Sequence, residues 1–498
     1  MNDPRSWTGA RWVLLSADDR QVEALRRDGF AEAVARCMVI RDLGASALQR
    51  APELDQLHDP YAMRGMDEAV DRFRRAIRDR ERVRILTDYD VDGTTSSLIL
   101  QATLRLAAPD LAIDYHIPDR FTEGYGFSVE AAEKAGRDGV HLLVTADIGV
   151  RDHASVARAR EAGVDVIICD HHLPAGMNVP AGAIVLCPPQ EGCPYPNRSL
   201  AACGVSLKLA QALLADHPRR DRVLRSLLKL AAIGTVADLV PLSTPENRAI
   251  VSLGLEALNT GPHNPGLAAL LDVCRLAPGG ITEADLAFRV APRINAAGRI
   301  ASAMRVVDLL TTSDAARARA LAEELEALNL ERRAVQHQLV DRALEAAAAA
   351  TGPFVVVAGA EEDGWHRGVV GIVAARLKDE LHRPVAVVSI QGDLAVGSVR
   401  SVPGVHAVQA LESASDLLVR FGGHPAAAGF SLPASRLPEL RDRLTAWMLA
   451  HTAEDTLVPE RAIDAVVPAE ALDARLHGEL LRMSPFGMGN PEPRLLVR

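Results

Sequence analysis

Residues 82–93 read RVRILTDYDVDG. The apolar-rich run Arg82–Thr87 reads as a buried strand. Asp88, Asp90 and Asp92 follow at alternate positions, and Gly93 precedes a helical pattern from about Thr95 to Leu106. The same alternation continues downstream. Strands are expected near Ala112–Ile117, His141–Thr145, Asp165–Cys169 and Gly182–Leu186, with helices near Ser128–Gly136, Asp152–Ala162 and Leu200–Leu214. Strands alternating with helices make βαβ units and a parallel sheet. Ligands of such sheets sit at the carboxyl ends of the strands, and that is where the chemically rich residues fall.

Three further stretches share that position or its neighbourhood. Asp147 lies in TADIG after the third strand, Asp170-His171-His172 follows the fourth, and Asp238 closes GTVAD in an apolar segment. The spacing of the first triplet also suits a calcium loop, but that pattern needs a Glu where this chain has Ile99. A lone Asp after a strand serves equally as a helix cap. Adjacent histidines beside an Asp, on the same sheet edge as other acids, favour metal and phosphate chemistry. Asp90, Asp92, Asp147, His171 and Asp238 together form a carboxylate–imidazole set. It suits Mn²⁺ best and Mg²⁺ second, as in two-metal phosphoryl-transfer hydrolases whose ions lie about 3.5–4 Å apart.

The rest of the composition bounds the class. The 498 residues exceed one ordinary core, and 48% hydrophobic with 24% charged residues is ordinary for a globular protein. The opening MNDPRSWTGA has no apolar h-region and no long apolar run occurs, so a cytoplasmic protein without a membrane segment is expected. Six dispersed cysteines without CxxC read as reduced thiols. A net charge of −10 argues against nucleic-acid binding unless bound cations offset the acids.

The order DYDVDG, TADIGV, DHH and GTVADLVPL resembles the DHH phosphoesterase superfamily. The resemblance implies that Asp90, Asp92, Asp147, His171 and Asp238 hold two Mn²⁺ or Mg²⁺ ions. It makes Asp88 a further acid of the first motif and His172 the histidine on the scissile phosphate, so these two are the expected catalytic residues. Residues 117–126 (IPDRFTEGYG), 192–196 (GCPYP) and 291–299 (APRINAAGR) resemble the RecJ exonuclease family. Trp365–Gly371, Gly397–Ser401 and Gly422–Pro425 resemble its DHHA1 substrate-binding domain. Arg120, Arg293, Asn295, Arg299, Ser398, Arg400 and His424 are then the expected phosphate-binding residues, with Arg120, Arg299, Ser398 and Arg400 gripping a 5′ phosphate. Ile148, Thr87 and Leu86 depart from the family pattern and bear on metal preference.

The expected architecture is α/β. A helical extension over 1–75 leads into a parallel-sheet DHH domain over 76–312. A connecting helix over 313–351, with Ser313 as its cap, leads to a smaller α/β DHHA1 domain over 352–452. Residues 453–498, with PFGMGNPEP, resemble the start of an oligonucleotide-binding barrel that this length leaves incomplete. The implied function is 5′→3′ hydrolysis of single-stranded DNA from its 5′ end, in recombination and repair, with a single-strand-binding protein and a helicase as partners. The alternatives are a DHH/DHHA1 phosphodiesterase acting on short oligonucleotides or cyclic dinucleotides, and a scaffold that has lost catalysis. Intact acids and histidines stand against the scaffold.

Overall fold

A computed structural model describes residues 9–45, 48, 51–118, 123, 126–174, 176, 178–300, 302–350 and 352–498. The chain divides into two units: Leu15–Leu328 with Asp464–Arg498, and the residues up to Leu14 with Asn329–Ile463. In the second of these, strand β1 (Arg11–Leu14) pairs in parallel with β12 (Glu460–Ile463), so the N-terminal extension is not helical throughout.

The larger unit is built on five parallel strands: β2 (Val83–Thr87), β3 (Ile113–His116), β4 (Leu142–Ala146), β5 (Asp165–Cys169) and β6 (Ile184–Leu186). Their order is β3-β2-β4-β5-β6. The central strands are apolar because both faces are covered, and successive side chains go to opposite cores. Ile85, Val144 and Ile167 pack under the helices Met66–Arg78, Val91–Ala107, Ala202–Leu213 and Arg220–Ala237. Leu86, Leu143 and Ile168 pack under Val129–Arg137 and His153–Glu161. The helix Met66–Arg78 buries Met66, Ala69, Val70, Phe73 and Ala76 in the first of these cores. It therefore straddles the boundary expected at residue 75.

β3 lies on one side of β2 and β4 on the other, so the strand order switches beside β2. A crevice for ligands opens at such a switch point.

The connecting helix spans Ala315–Ala348. Its cap is Asp314 rather than Ser313: Asp314 Oδ1 accepts the N–H of Ala316 at 2.8 Å and of Arg317 at 3.2 Å. In the smaller unit, β7 (Val355–Ala360), β8 (Val385–Gln391), β9 (Leu394–Arg400), β10 (Arg420–His424) and β11 (Ala427–Pro433) form a mixed sheet of order β10-β11-β9-β8-β7.

The barrel expected to begin in the last segment is not what its residues build. β13 (Ala465–Val467) and β14 (Leu495–Val497) pair in parallel across the helix Ala474–Leu481. Ala465, Val467, Leu476 and Met483 share a core with Val34, Cys37 and Met38 of the N-terminal helices. The PFGMGN loop docks on the helical part of the larger unit. Arg248 donates to the carbonyls of Met483 at 2.8 Å and Ser484 at 2.6 Å. The Glu283 carboxylate accepts the Phe486 N–H at 2.7 Å, and the Leu242 N–H donates to Met488 O at 2.7 Å. Satisfied backbone groups hold the loop down where a sequence pattern alone suggested a lead-in.

Candidate metal centre

Register places the acids. Thr87 of β2 stands opposite Ala146 of β4, which stands opposite Cys169 of β5. The next residue on each strand is Asp88, Asp147 and Asp170. Hydrogen bonding runs on through this rung: Asp88 N–H to Ala146 O at 3.4 Å, Asp147 N–H to Cys169 O at 3.0 Å and Asp170 N–H to Leu186 O at 3.0 Å. Asp147 then turns into the left-handed region, with φ 64°. Asp tolerates that region better than most residues, and such strain clusters at functional sites.

Helix ends bring in the remaining acids. Asp90 caps the helix Val91–Ala107, accepting the Gly93 N–H at 3.0 Å. Asp92, in the first turn of that helix, takes the N–H of Ala202 at 2.7 Å and of Cys203 at 2.8 Å, at the start of the helix Ala202–Leu213. Asp238 follows directly on the helix Arg220–Ala237. One side chain braces both regions: Asn247 Nδ2 donates to Ser199 O at 2.7 Å and to Pro241 O at 3.0 Å. These carbonyls lie three residues from Ala202 and from Asp238. Asn247 carried no sequence signal, because its role depends on two loops distant in the chain.

Seven expected residues converge. Three sets of donor atoms lie within 4.8 Å of one another: Asp88–Asp90–Asp147, Asp92–His171–Asp238 and Asp147–His171–His172. His171 Nε2 is 3.2 Å from Asp147 Oδ1, and His171 Nδ1 is 3.6 Å from Asp238 Oδ2. Asp147 Oδ1 and His171 Nε2 are buried without a hydrogen bond among the described residues. Burial raises the pKa of Asp147, and Asp90, Asp92, Asp88 and Asp238 push it further. Burial, then Asp92 and Asp90, raises Asp238 to about 9. Crowded acids beside an imidazole whose protonation burial opposes are a donor set that could hold a cation, since unpaired charge is otherwise costly to bury.

In sequence Asp170 is simply the residue before the two histidines. It is the brace of the site. It accepts the N–H of His171 at 2.7 Å and of His172 at 3.1 Å, His172 Nδ1 at 2.8 Å, and the N–H of Val150 at 3.0 Å. Burial opposes its charge, but the bond from His172 and the two imidazoles hold it at about 2. Burial likewise opposes protonation of His172, and the bond to Asp170 outweighs it and raises that pKa.

Asn295 and Arg299 lie on the helix Ala291–Ile300, which packs on the Asp88–Asp90 loop through Gly298. A Cβ on Gly298 would stand 2.7 Å from Tyr89 O. Gly298→Ala should therefore shift Asp88 and Asp90, costing about 1–3 kcal/mol by overpacking. A lower melting temperature and a loss of about tenfold or more in kcat/KM would be read together; an unchanged kcat/KM would show that the loop does not set the site. Arg293 is engaged within the fold: its donors reach Glu326 at 2.5 Å and Arg289 O at 2.6 Å. Arg120 lies outside the described residues.

In the smaller unit, Arg400 Nη1 donates to Ser398 Oγ at 2.7 Å. Gly371 faces both: a Cβ there would be 3.1 Å from Arg400 Nη2 and 3.2 Å from Ser398 Oγ. In-register neighbours are Gly422–Gly429–Ser398 and His424–Ala427–Arg400, which share one face of the sheet. Small residues leave that shelf open beside the guanidinium. A 720 Å³ cavity at the β3 edge, lined by Arg84, Asp114, His116 and Lys134, includes none of the clustered acids.

Comparison with known proteins agrees with the geometry. Residues 82–235 match the DHH family N-terminal domain and residues 352–450 the DHHA1 domain. The chain is 36% identical to the single-stranded-DNA-specific exonuclease RecJ of Dickeya dadantii, over 88% of its own length and 78% of that protein. The chain belongs to the RecJ family. It is 39% identical to RecJ of Bacillus subtilis over 98% of its length, and spans 61% of that relative. The crystal structure of RecJ from Thermus thermophilus in complex with Mn²⁺ superposes with a TM-score of 0.83 at 31% identity, over 99% of this chain and 70% of that one. A second RecJ structure, bound to manganese, gives 0.66 at 34% identity, over 79% of this chain and 96% of that one. Among the described residues no helix is long and apolar enough to cross a membrane.

Proposed function

We propose that this chain is a divalent-metal-dependent exonuclease that hydrolyses single-stranded DNA from its 5′ end to mononucleotides. The observation that carries the reading is the shared rung of Asp88, Asp147 and Asp170, with His171 and His172 set against it. Asp90, Asp92, Asp147, His171 and Asp238 are the residues to hold two Mn²⁺ or Mg²⁺ ions, with Asp88 beside them. Such ions supply Lewis-acid polarisation of the phosphate and a lowered pKa for the attacking water.

The protein's own part is orientation. Asp170 Oδ1 accepts a hydrogen bond from His172 Nδ1 at 2.8 Å, and this bond outweighs burial and raises the pKa of the ring, which favours the form whose Nε2–H can donate to a phosphate oxygen. That donor meets charge developing on the scissile group. Arg299 and Asn295 approach on the helix Ala291–Ile300. Ser398, Arg400 and His424 form a shelf for a terminal 5′ phosphate, with Arg400 as its fork. The reading carries with it a cytoplasmic enzyme supplied with single strands by a helicase and a single-strand-binding protein.

The test sets 5′-labelled single-stranded DNA, blunt duplex, dinucleotide and cyclic dinucleotide side by side with Mn²⁺. Labelled mononucleotide released from the single strand, with the duplex left intact, is the expected result. Turnover confined to the two dinucleotides would transfer the site to the short-substrate phosphodiesterases.

A further inference from the structure

One cation stands beside this centre without a part in it. Arg151 sits in the turn between β4 and the helix His153–Glu161. Its Nε donates to the carbonyl oxygen of Leu173, the residue after His172, at 2.7 Å. The residue before it, Val150, gives its N–H to Asp170, the carboxylate that also orders His171 and His172. Two hydrogen bonds thus fix the Arg151 turn against the His172 turn, one through the backbone and one through the guanidinium.

The placement is not that of an ion pair. Among the described residues no carboxylate pairs with Arg151. Its side chain is exposed, and Leu173 beneath it is 58% exposed, whereas the His172 side chain is 23% exposed. The Arg151 side chain is therefore more open to solvent than that of His172. With Nε committed to a carbonyl, the outer edge of the fork remains for a planar bidentate contact. In a chain of net charge −10, a fixed cation beside the site has a large effect on where a strand can lie.

We propose that Arg151 holds the strand phosphate adjacent to the scissile one, and so helps set the minimum substrate length. This rests on the exonuclease reading. A 5′-phosphorylated dinucleotide carries only its terminal phosphate and the scissile one; a trinucleotide adds the phosphate that Arg151 would take.

The experiment measures kcat and KM for 5′-phosphorylated di-, tri- and dodecanucleotides with wild type, Arg151→Ala and Arg151→Lys at fixed Mn²⁺. Arg151→Ala keeps the backbone bond from Val150 to Asp170 that orders the His172 turn, and is expected to raise KM about tenfold on the tri- and dodecanucleotide, with kcat little changed and the dinucleotide unaffected. The slope of log(kcat/KM) against log salt should fall by about 0.7, one single-strand phosphate contact, and Arg151→Lys should restore that slope. An equal loss on the dinucleotide, or unchanged KM and slope on longer strands, overturns the proposal while leaving the exonuclease intact. A wild type that cleaves none of the three strands removes the exonuclease reading itself. Melting curves of the variants separate either result from misfolding.

Discussion

Asp147→Asn should leave the chain folded and nearly inactive, with kcat/KM down by about 10²–10⁴-fold. Metal polarisation of the phosphate supplies several kcal/mol of transition-state stabilisation, and losing about 3–5 kcal/mol of it is that range in rate. Asp147 belongs to two of the three donor sets, and its Oδ1 is buried without a hydrogen bond. In EDTA the same variant should melt above wild type. Its carboxylate is pressed by burial and by four neighbouring acids, and Asn tolerates the left-handed backbone at 64° equally well. Activity assays and melting curves on one preparation give both readings. A variant that melts lower in EDTA and still turns over would make Asp147 scaffold.

Chelation should produce the second large effect, and its size should depend on pH. Burial raises Asp238 from 3.8 to about 9, with Asp92 and Asp90 adding to it. The folded, metal-free chain then binds a proton that the unfolded chain releases far lower. Stability from that proton is full below the unfolded pKa and is lost as pH rises through the folded one. Metal-free protein should weaken between about pH 5 and 9, by up to about 1.4 kcal/mol per pH unit for each such proton. Divalent ions need deprotonated ligands, so their affinity should rise over the same window. The gap in melting temperature between Mg²⁺ and EDTA should therefore widen from pH 6 to pH 9. A gap that narrows would mean that the raised carboxylates are not the ligands.

Much of this centre was legible because its parts are local. An apolar strand followed at once by an acid is a short-range pattern, and it located Asp88, Asp90, Asp92, Asp147 and His171. Roles that depend on contacts across the chain were not legible. Asp170 looked like part of a triplet, but its meaning comes from Val150, twenty positions away. Asn247 acts through carbonyls at Ser199 and Pro241. Arg293 has the residue type of a phosphate ligand, and only its distance to Glu326 shows it engaged. The last segment misled for a related reason. A loop rich in Gly and Pro says that the chain turns, and Glu283 and Arg248 decide onto what.

The rung through Thr87, Ala146 and Cys169 also bears on how the molecule assembles. Backbone pairing, with no regard for charge, delivers three carboxylates to one place as the central strands align. Electrostatic repulsion among them is therefore greatest once the sheet has closed. Counter-ions or protons relieve that crowding. The ions of the finished enzyme would then double as aids to its own folding, and a chain deprived of them would collapse readily but close its sheet slowly.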